Sequence, residues 1–161
     1  MNPVSICAAS LLALLSTPVR ATDDPAMLRL VTCQDSWVEW KDDAGRLAGF
    51  GRAIERQYLR GEAGDAFTPR RPQTLFGFPI SRLYPQSVGM GLGYSVVVDA
   101  PFANVRQRFE KALGRPLHCS VSEGMRACEL PLAAEKTALL LASDRADATT
   151  TQLGCYYLYE K

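Results

Sequence analysis

Apolar residues recur along this chain at two different periods. Trp37, Trp40, Ala44, Leu47, Gly51, Ile54 and Tyr58 follow at alternating steps of three and four, which sets them on one face of a helix. The run Ser36-Trp37-Val38-Glu39 at its start is a capping box: the Ser36 hydroxyl can accept the Glu39 amide hydrogen, and the Glu39 side chain can reach back. Gly45, Gly49 and Gly51 each weaken such a helix by about 1 kcal/mol, so a break around Asp42–Gly45 is expected. A second apolar stripe of helical period runs through Phe102, Val105, Phe109, Ala112 and Leu113. Asp99 and Pro101 suit its start; Gly114 and Pro116 suit its end. Arg106, Arg108 and Lys111 on its other faces read as solvated charge.

Elsewhere the period is two. In Ser87–Val98, SVGMGLGYSVVV, alternation puts Val88, Met90, Leu92, Tyr94, Val96 and Val98 on one face and Gly89, Gly91, Gly93 and Ser95 on the other. A phosphate-binding glycine loop would follow a strand and open a helix; here the glycines lead into valines, so the stretch is a strand with one bulky and one bare face. A bare face marks close approach by another backbone or by a ligand. Because a helix follows directly, tight packing of a helix on that face is the expectation. Leu75, Phe76, Phe78 and Ile80 read as one strand interrupted at Pro79, an edge or bulge signal, after a loop spanning Gly61–Pro72. Leu117–Val121 and Met125–Leu130 read as a hairpin, followed by strands at Thr137–Ala142 and Thr150–Tyr159. These elements predict an α+β fold: a single domain, mostly antiparallel sheet, with two helices packed on one face.

The first 21 residues fall outside that domain. Val4–Ser16 is apolar and too short to span a bilayer, and Val19 and Ala21 offer the small side chains of a signal-peptidase site. Residues 1–21 are read as a signal peptide and 22–161 as the mature domain, placed in the periplasm or secreted, with no stable membrane insertion after cleavage. Arg20 is the only charged residue in the leader, so the mature chain carries 17 basic against 17 acidic side chains. A balanced charge argues against a nucleic-acid partner, which requires a clustered basic excess. Without Cys7, four cysteines remain: Cys33, Cys119, Cys128 and Cys155. In an exported domain they read as two disulfides. Ser122-Glu123-Gly124 is a turn between Cys119 and Cys128, which favours that pair across a hairpin and leaves Cys33 to Cys155.

No motif names a reaction. His118 is the sole histidine and neighbours Cys119 along a strand, where consecutive side chains point to opposite faces; that geometry does not suit a Cys–His nucleophile pair. Four scattered cysteines and one histidine make no compact zinc site, and no cofactor is expected. No G-x-S-x-G elbow occurs, and nothing singles out two of the glutamates for glycoside chemistry. Tyr156, Tyr157 and Tyr159 crowd the last strand, and tyrosine is enriched at binding surfaces. The expectation is therefore a non-enzymatic binding protein whose partner is another protein, such as an inhibitor or immunity protein against a toxic or cell-wall-degrading enzyme. Its candidate surface comprises Tyr156, Tyr157 and Tyr159, and a homodimer is compatible with it. The alternatives are a periplasmic hydrolase with carboxylate chemistry and an envelope accessory or small-ligand-binding protein. N-terminal sequencing of the exported protein should return Thr22; a soluble chain that keeps Met1 contradicts the leader assignment.

Overall fold

The computed structural model describes residues 23–34, 49–61, 66–88, 91–133, 135–145 and 147–158. The expected leader at 1–21, the expected capping box at Ser36–Glu39 and helix break at Asp42–Gly45, and Trp40, Leu47, Gly89 and Met90 lie outside them, as does Tyr159. The chain order begins with α1 (Pro25–Val31) and α2 (Gly49–Gln57), then β1 (Tyr58–Arg60) and β2 (Phe67–Pro69). It continues with β3 (Thr74–Leu75), β4 (Phe78–Val88), β5 (Gly91–Val98) and α3 (Phe102–Leu113). It ends with β6 (His118–Ser122), β7 (Met125–Ala133), β8 (Lys136–Ser143) and β9 (Thr151–Leu158). The strands form one antiparallel sheet in the order β1-β2-β4-β5-β9-β8-β7-β6, with β3 alongside β4. The fold is α+β with three described helices rather than the two expected.

The added helix, α1, is capped at both ends. Buried Asp24 accepts hydrogen bonds from the amides of Ala26 and Met27, and Pro25 takes the first helical position. At the other end Cys33 is left-handed (φ 60°), its amide bonds the Leu30 carbonyl and the Gln34 amide reaches back to Arg29. That is a Schellman ending with cysteine where glycine is usual. Four further expectations are corrected. Tyr58 leaves the helix face and starts β1. The loop Gly61–Pro72 contains β2, which pairs with β1. Phe76 and Gly77 form a turn between β3 and β4, so Leu75 and Phe78 sit opposite each other instead of along one strand. Asp99 does not cap α3, whose N-cap is Pro101 without a side-chain bond; Gly114 ends the helix at φ 69°.

All three helices pack on one face. By strand alternation Val96, Val98, Leu153, Cys155, Tyr157, Ala138, Leu140, Cys128 and Leu130 share that face, and all belong to the core cluster with Met27 and Leu30 of α1, Ile54 of α2, and Val105 and Phe109 of α3. Both disulfides form as the spacing predicts. Cys33–Cys155 ties the end of α1 to β9 across 122 residues, and Cys119–Cys128 links β6 to β7 across 9. Chain-entropy arithmetic gives the long link about 5 kcal/mol and the short one about 2.5 kcal/mol, so the first does more to hold the tertiary structure. Two disulfides suit an oxidising compartment. Among the described residues no helix is long and apolar enough to cross a membrane.

Among the described residues, the bare face of β5 meets no helix. It meets the backbone of its neighbour in the sheet. A Cβ built on Gly93 would collide with the carbonyl oxygen of Cys155 and stand 2.9 Å from the Tyr156 Cα. Reciprocally, a Cβ on Gly154 would collide with the Tyr94 carbonyl oxygen and stand 3.2 Å from the Ser95 Cα. Glycine is required on both strands because the obstacle is main chain, which cannot swing aside as a side-chain tip can. Gly154→Ala should therefore lower the melting temperature by several degrees, corresponding to about 1–3 kcal/mol of overpacking. A Gly154→Ala variant that melts with the wild type would contradict the close-approach account.

Candidate functional site

The predicted tyrosine surface divides between the two faces of β9. Tyr157 shares the helix-packed face with Cys155 and is buried at 8% exposure, with the Lys136 ammonium 5.7 Å from its ring centre. It is a core residue, which removes it from an exposed patch. Tyr156 is half-buried on the other face, opposite Gly93 and Thr137. That face carries no helix among the described residues. Tyr84 of β4, which the sequence reading passed over, lies there too and hydrogen-bonds the Gln152 side-chain oxygen. Burial raises the Tyr84 pKa, while nearby Arg82 works in the opposite direction. Its sequence signal was weak, because Tyr84 stands beside Pro85 in a strand whose phase is shifted by a bulge between Ile80 and Arg82.

A second feature is the turn between β3 and β4. Phe76 (φ 55°) and Gly77 (φ 75°) are both left-handed, the geometry of a tight hairpin turn. Phenylalanine is a costly choice for the first of these positions, by roughly 1–2 kcal/mol. Two charged residues hold it in place. Arg108 of α3 donates to the Phe76 carbonyl, and the Asp23 carboxylate accepts from the Gly77 amide at 2.7 Å and from the Thr74 hydroxyl at 2.8 Å. The Arg108 guanidinium also lies 4.3 Å from the Phe78 ring centre, and the Phe76 ring is 6.0 Å from that of Phe109. One peptide unit is thus clamped between a cation on its oxygen and an anion on its nitrogen. Asp23, the turn, Leu28 of α1, and Lys111 and Ala112 of α3 enclose an open cleft of about 670 Å³.

The third feature is β6, the free edge of the sheet. All five of its residues are exposed, and β7 is its sole neighbour among the described strands. Cys119 and Cys128 face each other with Cα atoms 3.9 Å apart. Directly opposed residues are that close only in the narrow, non-hydrogen-bonded pairs of an antiparallel ladder, about 4.5 Å against about 5.5 Å for bonded pairs. The N–H and C=O of Cys119, and by alternation those of Val121, consequently point away from β7 into solvent. The Leu117 amide, two residues earlier, is taken by the Glu110 carboxylate of α3 at 2.9 Å. His118 stands across from Glu129, and these two with Ser120, Ala127 and Pro131 line a groove of about 360 Å³. Cys119 is held in a disulfide and offers no thiolate for a Cys–His pair.

No family model, no curated protein and no solved structure matches this chain. Among the described residues no three histidine, cysteine or carboxylate side chains gather as metal ligands would. The acid-sensitive element of the site is Glu110. Burial opposes its ionisation, but the Leu117 amide and the Arg106 guanidinium at 2.8 Å outweigh it and hold its carboxyl below the usual glutamate range. With the folded pKa below the unfolded one, its stabilisation is complete above the ordinary glutamate value and fades as the pH falls through the lower, folded value. Glu110→Gln should lower the melting temperature at neutral pH and narrow its gap to wild type on acidification. A gap independent of pH would contradict the bridge from α3 to β6.

Proposed function

We propose that this is a small exported binding protein that captures another protein by accepting an extended segment of it as an added strand beside β6. The observation that carries the reading is the unpaired main chain of that edge. Two N–H and two C=O groups at Cys119 and Val121 point outward at the repeat of a β-strand, and the group that satisfies such a row is another extended backbone. Natural sheets blunt their edges with lysine, proline, bulges or very short strands. The opposite edge, β1, has three residues; β6 has five, with neither lysine nor proline nor a register shift against β7. The disulfide to β7 holds β6 in register, so the edge itself needs little ordering when a strand is added. Val121, at 56% exposure, and Met125, at 45%, supply apolar contact at the hairpin tip. Inhibitor and immunity proteins against a toxic or cell-wall-degrading enzyme are the functional class that this small, stapled, exported design fits, and the fit is by analogy of design alone.

Val121→Pro tests the proposal cleanly. It deletes an outward N–H and leaves the β6–β7 ladder bonds in place, so the melting temperature should stay close to wild type. Ser120→Pro deletes an inward N–H and should destabilise the hairpin. In pull-downs from the cell envelope, a partner held by wild-type bait should be lost from Val121→Pro bait, with affinity reduced about tenfold or more. Equal capture by the two baits contradicts strand addition. Turnover of a cell-wall or ester substrate by wild-type protein that captures nothing contradicts the binding reading itself.

A further inference from the structure

The clamped turn borders a cleft that strand addition at β6 does not use. Its floor is apolar: Leu28 and Phe76 are half-buried and Ala112 is exposed beside them. Its charged groups stand on separate elements. Lys111 is on α3, exposed, with no carboxylate in ion-pair range among the described residues. Asp23 precedes α1; its Oδ1 takes both bonds from the turn, which leaves Oδ2 without a donor among the described residues. Arg108 donates to the Phe76 carbonyl and lies over the Phe78 ring, so it fixes the wall of the cleft. Holding Phe76 left-handed costs stability, which the hydrogen bonds of Arg108 and Asp23 offset. The cost places an aromatic ring against Phe109 at the wall of the cleft, and backbone strain of this kind gathers at ligand sites.

From this arrangement we infer that the cleft is a binding site for a small zwitterion with an apolar side chain, of free amino acid or dipeptide size. The ligand's carboxylate meets the Lys111 ammonium, its ammonium meets Asp23 Oδ2, and its side chain lies over Phe76, Leu28 and Ala112. The charge pattern selects the class. An apolar anion would satisfy Lys111 and face Asp23 unpaired; an apolar cation would do the reverse; a molecule carrying both charges satisfies both walls.

Three probes separate these cases by titration calorimetry with the mature protein: L-phenylalanine, N-acetyl-L-phenylalanine, which lacks the ammonium, and L-phenylalaninamide, which lacks the carboxylate. Phenylalanine should bind about tenfold tighter than either analogue, the factor one charged hydrogen bond supplies. Lys111→Gln, a change at an exposed site, should weaken phenylalanine to the level of the amide and leave the amide's own affinity unchanged. Asp23→Asn keeps an oxygen for the Gly77 amide and should bring phenylalanine down to the N-acetyl level. The Val121→Pro variant should bind all three probes as wild type does, so failure here is separable from failure of strand addition at β6. Equal affinities for the three probes, no binding of phenylalanine by the wild type, or an unaltered affinity in Lys111→Gln would each overturn the assignment.

Discussion

The sheet is two antiparallel meanders joined along one seam, the pairing of β5 with β9. On one side lie β4, β2 and β1; on the other lie β8, β7 and β6. The last described strand, β9, therefore lies in the middle of the sheet, between β5 and β8, and α1 packs against it. The seam is also where neither Gly93 nor Gly154 has room for a Cβ against the other strand's main chain, and where the long disulfide anchors α1 through Cys155. Since β9 pairs with a strand some sixty residues earlier, the fold is rich in non-local contacts and slow folding is expected. The seam positions both candidate sites: it brings β8, β7 and β6 to the far edge, and through Cys33 it holds α1 over the core, with Leu28 and Asp23 beside the turn.

Under the helices, polar groups are buried with partners. Asp24 is 2% exposed, yet its carboxylate accepts from two helix amides and from the Tyr58 hydroxyl at 3.0 Å. Burial raises the Tyr58 pKa, and the Asp24 charge and hydrogen bond add to it, so the phenol stays a donor throughout the working pH range. This pair joins the start of α1 to β1, whose residues are remote in sequence. Thr151 likewise donates to the Ala100 carbonyl at 2.8 Å, fixing the entry of β9 against the segment leading into α3. Satisfied buried groups of this kind specify one arrangement of the helices, where apolar contact alone would tolerate several.

Much of this was legible in the residues, and the failures have physical causes. The cysteine pairing followed from a turn signal at Glu123-Gly124, both left-handed in the structure, between two strand-like runs. The glycine alternation in β5 pointed correctly to a close approach. Its partner was misassigned because the neighbour is β9, far along the chain, and strand order is not written in local periodicity. The helix at Pro25–Val31 had an Asp-Pro start but is two turns long, too short for a repeating stripe to emerge. Phe76 hid the β3–β4 turn because phenylalanine is not a turn residue; Arg108 and Asp23, distant in sequence, make it one. The tyrosines of β9 misled for a related reason. Alternation sets Tyr156 and Tyr157 on opposite faces of β9, but which face is core depends on where the helices pack.

The rigid seam and the open edge are read together by native-state hydrogen exchange resolved to single amides. Amides on the seam, such as those of Val96 and Leu153, should exchange only through global unfolding, with protection equal to the full stability of the domain. The Cys119 and Val121 amides should exchange at near-unprotected rates within the same hairpin in which inward-facing Ser120 is protected. Seam amides that exchange faster than the β6–β7 hairpin, or protection at Cys119 and Val121 equal to that of Ser120, would contradict the rigid seam and the open edge respectively.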